Sequence, residues 1–235
     1  MNPTVYTLSP SDFAFLLRDC PRCFWLKVKH GVMQPRRPMP SVFNVIDGSM
    51  KRRLNEVPIT KFVSGAPASR VHNHDGRVLS AVYQSSFGVG LIIKGIYDTV
   101  LELADGGFAL VDLKTIKVSP KLASNYEMQL HSYSWALENP SVEENRLFPV
   151  SRLGLIAFAP CKFTTRSDGA SALIGQNHWV EVERNDDAFF AFLDQVAEVL
   201  ASDTPPASGR FCPTCQYMER IARFECEDDR FKVAV

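Results

Sequence analysis

Residues 95–114 constrain this chain more than any other stretch. They read Gly95-Ile-Tyr-Asp98-Thr-Val-Leu-Glu-Leu-Ala-Asp105-Gly106-Gly-Phe-Ala-Leu-Val-Asp112-Leu-Lys114. Two β-rich runs flank Ala104-Asp105-Gly106, which fits a three-residue loop with Gly106 in the left-handed conformation. An odd loop pairs Leu103 with Gly107, and counting outward sets Asp98 across from Asp112. Opposed residues of an antiparallel pair share a face, and so do residues two apart on one strand. Asp98, Asp112 and Lys114 are therefore expected to converge. A loop of even length would send Asp98 to the other face.

Two acids set among Ile, Val, Leu and Phe are costly to hold near a core without a partner. A divalent cation is one partner. Mg²⁺ takes oxygen ligands and keeps several waters. Held there it would polarise a phosphoryl oxygen and acidify a bound water. Lys114 would position that water or offset transition-state charge. The backbone carbonyl of Leu113 is a further ligand. The plain alternative is a strand ion pair, Lys114 with Asp112 or Asp98, at a sheet edge.

The flanking pattern is a mixture of helices and strands. Ser9-Pro10-Ser11-Asp12 caps a helix that Pro21 interrupts, and Phe24 to Val28 carry the chain to Gly31. Residues 34–40 form a proline-rich connector. Val42, Val45, Ile46, Met50 and Leu54 keep helical spacing over 41–56. Val78–Tyr83, Val89–Ile93, Ile96–Leu103 and Phe108–Ile116 read as strands. A helix over about 120–138 puts Gln129 and Tyr133, four residues apart, on one face, beside a packing stripe of Tyr126, Leu130, Tyr133 and Leu137. Leu153–Ala159 and Trp179–Val182 are further strands, and 186–201 is an amphipathic helix. Thr204–Gly209 is a linker to a cysteine-bearing tail. The order predicts a mixed α/β core over 1–203, with 204–235 as linker and tail packing on the N-terminal helix.

Charge and cysteines narrow the function. Formal net charge is zero, so nucleic-acid binding does not follow from it. Residues 1–61, however, hold ten Lys/Arg against four acids. A basic end beside an acidic metal site suits phosphate chemistry, although a solvated basic face has the same composition. Arg36-Arg37 and Lys51-Arg52-Arg53 are candidate phosphate contacts or plain surface charge. Residues 1–13 contain no apolar signal run, and no stretch approaches the ~18 apolar residues of a membrane span. A cytoplasmic protein is expected, with no membrane partner. There the six cysteines point to metal or free thiols rather than disulfides. Cys20/Cys23 and Cys212/Cys215 are two Cys-x-x-Cys pairs at opposite ends, each a half site for tetrahedral Zn²⁺ or an iron–sulfur cluster. Shared coordination would staple the first helix to the tail. Cys161 reads as a buried thiol at the end of an apolar strand. His72 and His74 read as solvated loop residues, and His131 has no assigned role.

Taken in order, Gly95-x-x-Asp98, Asp112-x-Lys114 and Gln129-x-x-x-Tyr133 resemble the PD-(D/E)XK nuclease superfamily, in its RecB-like branch. Cys20-Pro21-Arg22-Cys23-Phe24-Trp25-Leu26 resembles that branch's N-terminal element, and Cys212-Pro-Thr-Cys215-Gln-Tyr217 its closing motif. The matches span about residues 9–217. The resemblance implies a restriction-endonuclease-like core, a central mixed sheet flanked by helices and closed by a cysteine cluster. It implies Mg²⁺ or Mn²⁺ dependence and cleavage of DNA, single-stranded or at duplex ends. Asp98 and Asp112 would be metal ligands and Lys114 the catalytic lysine. Gln129 and Tyr133 would orient the lysine side or contact the DNA backbone. In the family's upstream helix a Gly is followed by a His and then a Glu. Here Gly48 opens that stretch, Glu56 fits the acidic ligand position, and Arg52 stands where His is usual. Branch members related to CRISPR adaptation nucleases carry a [4Fe–4S] cluster on one N-terminal and three C-terminal cysteines. Here the set is either Cys20/Cys23/Cys212/Cys215 or Cys20/Cys212/Cys215/Cys226, holding iron–sulfur or zinc. The implied function is a metal-dependent deoxyribonuclease, exo- or endo-, in repair, recombination or phage DNA processing, beside a helicase or nuclease partner. The alternative is a DNA-binding or assembly subunit that keeps the fold without catalysis.

Overall fold

The computed structural model describes residues 4–35 and 38–227, the side chains of 225–227 excepted. Arg36 and Arg37 lie outside the described residues. Along the chain come β1 (Thr4–Leu8), a π-helical segment (Asp12–Leu17), α1 (Pro21–His30), α2 (Ser41–Glu56), α3 (Ile59–Phe62) and six strands. These are β2 (Ser69–His74), β3 (Arg77–Leu79), β4 (Tyr83–Gln84), β5 (Val89–Ile96), β6 (Thr99–Leu103) and β7 (Phe108–Thr115). Then follow α4 (Leu122–Glu138), β8 (Val150–Thr165), β9 (Ser171–Val182), α5 (Asp186–Ala201) and α6 (Pro213–Glu227).

The main sheet has the order β2-β6-β7-β8-β9. Only β7 and β8 are parallel in it, and α4 makes that crossover. A smaller sheet groups β1 and β3 around β5, with β4 also on β5. The two-residue period of β7 decides what each face meets. Ala109, Val111 and Leu113 pack with Met50 and Leu54 of α2. Leu110 packs in the other layer with Leu130 and Tyr133 of α4 and with Leu193 and Val196 of α5. A mixed sheet between helical layers is the expected α/β architecture. Among the described residues, no helix is long and apolar enough to cross a membrane.

A buried ion pair ties the layers together. Glu138 at the end of α4 accepts bonds from Arg184 at 2.6 and 2.9 Å and from the Val150 amide at 2.8 Å. His131 is structural in the same layer. Its Nδ1 bonds Glu127 O at 2.9 Å, and its Nε2 accepts the Asn185 amide at 2.8 Å.

Several elements differ from the sequence reading. Thr4–Leu8 is a strand, parallel to β5. His72 and His74 lie on β2, not in a loop, because that edge strand pairs with β6. The run Ile96–Leu103 is broken at Tyr97 and Asp98, where the chain passes from the smaller sheet to the main one. β8 and β9 outrun the apolar segments. Beyond Phe158 and Asn177 they pair only with each other, as a ribbon. Cys161 lies on that ribbon and is exposed rather than buried.

Candidate active site

The β6–β7 hairpin has the register that its turn dictates. Thr99 pairs with Val111 and Glu102 with Phe108. The Leu103 amide bonds Gly107 O at 2.8 Å, and Gly106 takes φ +88°. One residue further out, Asp98 faces the Asp112 end of β7. There its side chain takes over from the ladder, since Asp98 Oδ2 accepts the Leu113 amide at 2.9 Å. This places the Leu113 peptide against the carboxylate.

Asp112 points to the α4 side and is buried. Lys114, two residues on, forms an ion pair with its Oδ2. Oδ1 accepts Gln129 Nε2 of α4 at 3.1 Å. Burial pushes the Asp112 carboxyl up to about 7, with Lys114 pulling down and Asp98 pushing up. Burial alone would lower the Lys114 pKa, but Asp112 and Asp98 outweigh it and raise it. Lys114 Nζ also lies 4.8 Å from the Tyr126 ring centre, a cation–π contact. Tyr133 donates to Ile96 O at 2.8 Å and packs on Gly95, where an added Cβ would come within 2.8 Å of its ring. Tyr133 thus clamps the strand end before Asp98. Burial, with Asp112 and Asp98, pushes its phenol up to about 12.

The donor set fits a hard divalent ion. Two adjacent carboxylates, Asp98 and Asp112, supply oxygen, and the Asp112 carboxylate is buried. Mg²⁺ or Mn²⁺ prefers such ligands.

The α2 side corrects two assignments. Glu56 sits exposed at the end of α2, 3.0 Å from Arg53, and is not brought to the hairpin. Arg52 is also exposed and bonds Ser49 Oγ at 3.0 Å. The helical period turns Met50 and Leu54 to the sheet, so the inward polar positions are Asp47 and Lys51. Lys51 Nζ lies 3.9 Å from Asp98 Oδ1 and 2.5 Å from Asp75 Oδ1. Burial opposes its charge, yet the acids raise its pKa. Asp47 and Asp75 were not singled out in the sequence, and Lys51 was read only as a candidate phosphate contact or surface charge. The signal was available, since Asp47 and Lys51 are four apart on the apolar side of α2. His74 Nδ1 bonds Thr99 Oγ1 at 2.9 Å beside this group, and burial lowers its pKa.

A second site joins the chain ends. The sulfurs of Cys20, Cys23, Cys212 and Cys215 all lie within 4.8 Å of one another. Measured pairs are 3.5 Å (Cys23–Cys215), 3.6 Å (Cys20–Cys215) and 3.7 Å (Cys23–Cys212). A tetrahedron of thiolates around one zinc-sized ion has edges of about 3.8 Å. The alternative with Cys226 involves a side chain outside those described. The linker is fastened to α1. Gly209 N donates to Cys20 Sγ at 3.2 Å, Arg22 Nε to Pro206 O at 3.1 Å, and Trp25 Nε1 to Ser202 O at 3.0 Å. Burial opposes the Cys20 thiolate, but the Gly209 and Cys23 amides bring its pKa down to about 7. Burial pushes Cys23 up to about 11.

No curated protein matches the sequence. Among solved structures, one described as the crystal structure of SSO0001 aligns over 90% of this chain and 82% of that one, at 18% identity and a TM-score of 0.46. A family model described as the PD-(D/E)XK nuclease superfamily matches residues 66–220, which include Asp98, Asp112, Lys114, Gln129, Tyr133 and the tail cysteine pair. With two thirds of its length under that model, this chain belongs to the PD-(D/E)XK nuclease superfamily.

Proposed function

We propose that the protein is a divalent-metal-dependent nuclease that hydrolyses DNA phosphodiester bonds, in the RecB-like branch of its superfamily. One observation carries the reading. Asp112 is a buried carboxylate held between Lys114 and Gln129, with the second carboxylate of Asp98 beside it. A structural ion pair has no use for a second acid at that spot.

Asp98 and Asp112 would hold Mg²⁺ or Mn²⁺, with the Leu113 carbonyl as a further donor. The bound ion supplies Lewis-acid activation of water and phosphoryl oxygen. The chain's own groups do the rest. Lys114 places an ammonium beside the reacting oxygens, where it steadies developing negative charge. Gln129 fixes the Asp112 carboxylate through Oδ1. Tyr133 holds the strand end that sets Asp98. Lys117 and Lys121, exposed on the connection after β7, would supply cations for the DNA backbone.

The thiol site would hold a metal centre that pins the tail to α1. Its spacing suits a single ion. The resemblance to iron–sulfur relatives suggests a [4Fe–4S] cluster, for which the tail must move outward. Metal analysis with visible absorbance of freshly isolated protein separates the two.

The test of function is cleavage of labelled single- and double-stranded DNA with Mn²⁺. Wild type should cut, and folded Asp112→Ala and Lys114→Ala should not. Intact DNA with folded wild type refutes catalysis. A second reading, a DNA-binding or assembly subunit, is favoured by the ammonium of Lys51 at Asp98. It predicts DNA affinity that Asp112→Ala leaves unchanged.

A further inference from the structure

Three carboxylates from three elements meet one ammonium at the edge of the proposed nuclease centre. Lys51 Nζ lies 2.5 Å from Asp75 Oδ1, 2.9 Å from Asp47 Oδ2 and 3.9 Å from Asp98 Oδ1. Its side chain is 11% exposed. Asp47 comes from α2, Asp75 from the turn between β2 and β3, and Asp98 from the residue before β6. Asp75 has φ +52°, the only non-glycine among the described residues with a positive φ. Such a conformation is uncommon in an L-residue, and here its surroundings fix it. Here the Asp75 amide donates to Asp98 O at 3.0 Å, which ties the turn to the residue that Lys51 faces. A freely solvated surface lysine needs none of this.

Asp98 is thereby divided between two neighbours. Its Oδ2 is taken by the Leu113 amide, and its Oδ1 is the oxygen nearest Lys51. A divalent ion beyond Oδ1 would meet the ammonium. A divalent ion on the Asp112 side of the hairpin would not.

We propose that Lys51 is the resident second cation of this centre, so that the site takes one divalent ion, between Asp98 and Asp112, and not two. This rests on the nuclease reading above. Lys51 acts as a positioning residue. It pairs with Asp47, Asp75 and the outer oxygen of Asp98, offsets part of their charge and occupies the space between them, and leaves Asp112 and the inner oxygen of Asp98 for the metal. The acids around it would otherwise form an oxygen-rich pocket of their own, suited to Mg²⁺ or Mn²⁺.

Mn²⁺ titration of the full chain, followed by the EPR signal of the free ion, tests this directly. Mn²⁺ is a poor match for thiolates, so the cysteine site does not enter the count. Wild type should bind one ion per chain, and Asp112→Asn should abolish it. Lys51→Met should admit a second ion, and Lys51→Arg should stay at one. Two ions on wild type overturn the proposal. So does a folded Lys51→Met that still binds one ion with unchanged affinity. The wild-type stoichiometry carries the test even if Lys51→Met fails to fold. Absence of any Asp112-dependent ion refutes the nuclease reading and this inference with it. An ion that is present but indifferent to Lys51 refutes the inference alone.

Discussion

Metal binding at the hairpin should be gated by protonation of Asp112. Its carboxyl is buried between sheet and α4, and is pushed up to about 7 against an ordinary value of 3.8. A proton and a metal ion compete for the same oxygens. Affinity should therefore fall about tenfold per pH unit below that value and level off above it. From about pH 8 to about pH 5.5 the loss is ~30-fold, or ~2 kcal/mol. The metal-free protein should respond in the opposite sense. A folded pKa above the unfolded one stabilises the fold at low pH, so this contribution is full below about pH 4 and is lost as pH rises through about 7. Calorimetric titration with Mn²⁺ across that range reads the first effect, and thermal melts without metal read the second. Asp112→Asn, which should abolish Mn²⁺ binding, should flatten the second. An affinity independent of pH, or one that falls only near pH 4, would show that burial does not control this carboxylate and would sink the argument.

Other expectations are smaller in scope. Gln129→Leu removes the 3.1 Å bond to Asp112. It should shift the midpoint of that pH profile upward and slow cleavage, with stability changed by only about 1 kcal/mol; an unchanged profile denies Gln129 its role. Glu138→Ala leaves Arg184 and the Val150 amide without their buried partner. Urea unfolding should register a loss of ~1–3 kcal/mol, since the Val150 amide loses its acceptor while Arg184 keeps Asp186, with Mn²⁺ affinity of the folded fraction intact. Gly209→Ala puts a Cβ within 1.9 Å of Asp19 O. The linker must then lift from Cys20, and metal analysis should find the thiol site depleted while hairpin Mn²⁺ binding persists.

Much of the candidate site's geometry was readable along the chain because it is local. An odd turn with glycine in the left-handed conformation fixes the pairing, and pairing fixes which residues share a face. Asp98, Asp112 and Lys114 follow from that alone, and the one-turn spacing of Gln129 and Tyr133 from the helical period. The bounds of α2 and α5 follow equally from apolar spacing. Strand β1 did not, because Thr4–Leu8 is short and half polar and becomes a strand only by pairing with β5, more than eighty residues away. The same holds for His72 and His74 on β2, an edge strand whose polar sequence gives no period to read.

The tertiary structure decided what depends on the packing of distant elements. Glu56 and Arg52 match a motif by count. The rotation of α2 on the sheet, set by burial of Met50 and Leu54, instead delivers Asp47 and Lys51. The two cysteine pairs announced themselves as half sites. That they face each other depends on α1 and the linker being fastened side by side, through Gly209, Arg22 and Trp25. The chain by itself determined which groups are neighbours within a turn, a strand or a helix, because those distances are set by backbone geometry. Which groups meet across the fold was decided by the apolar faces, since their burial turns each helix before any charged group finds a partner.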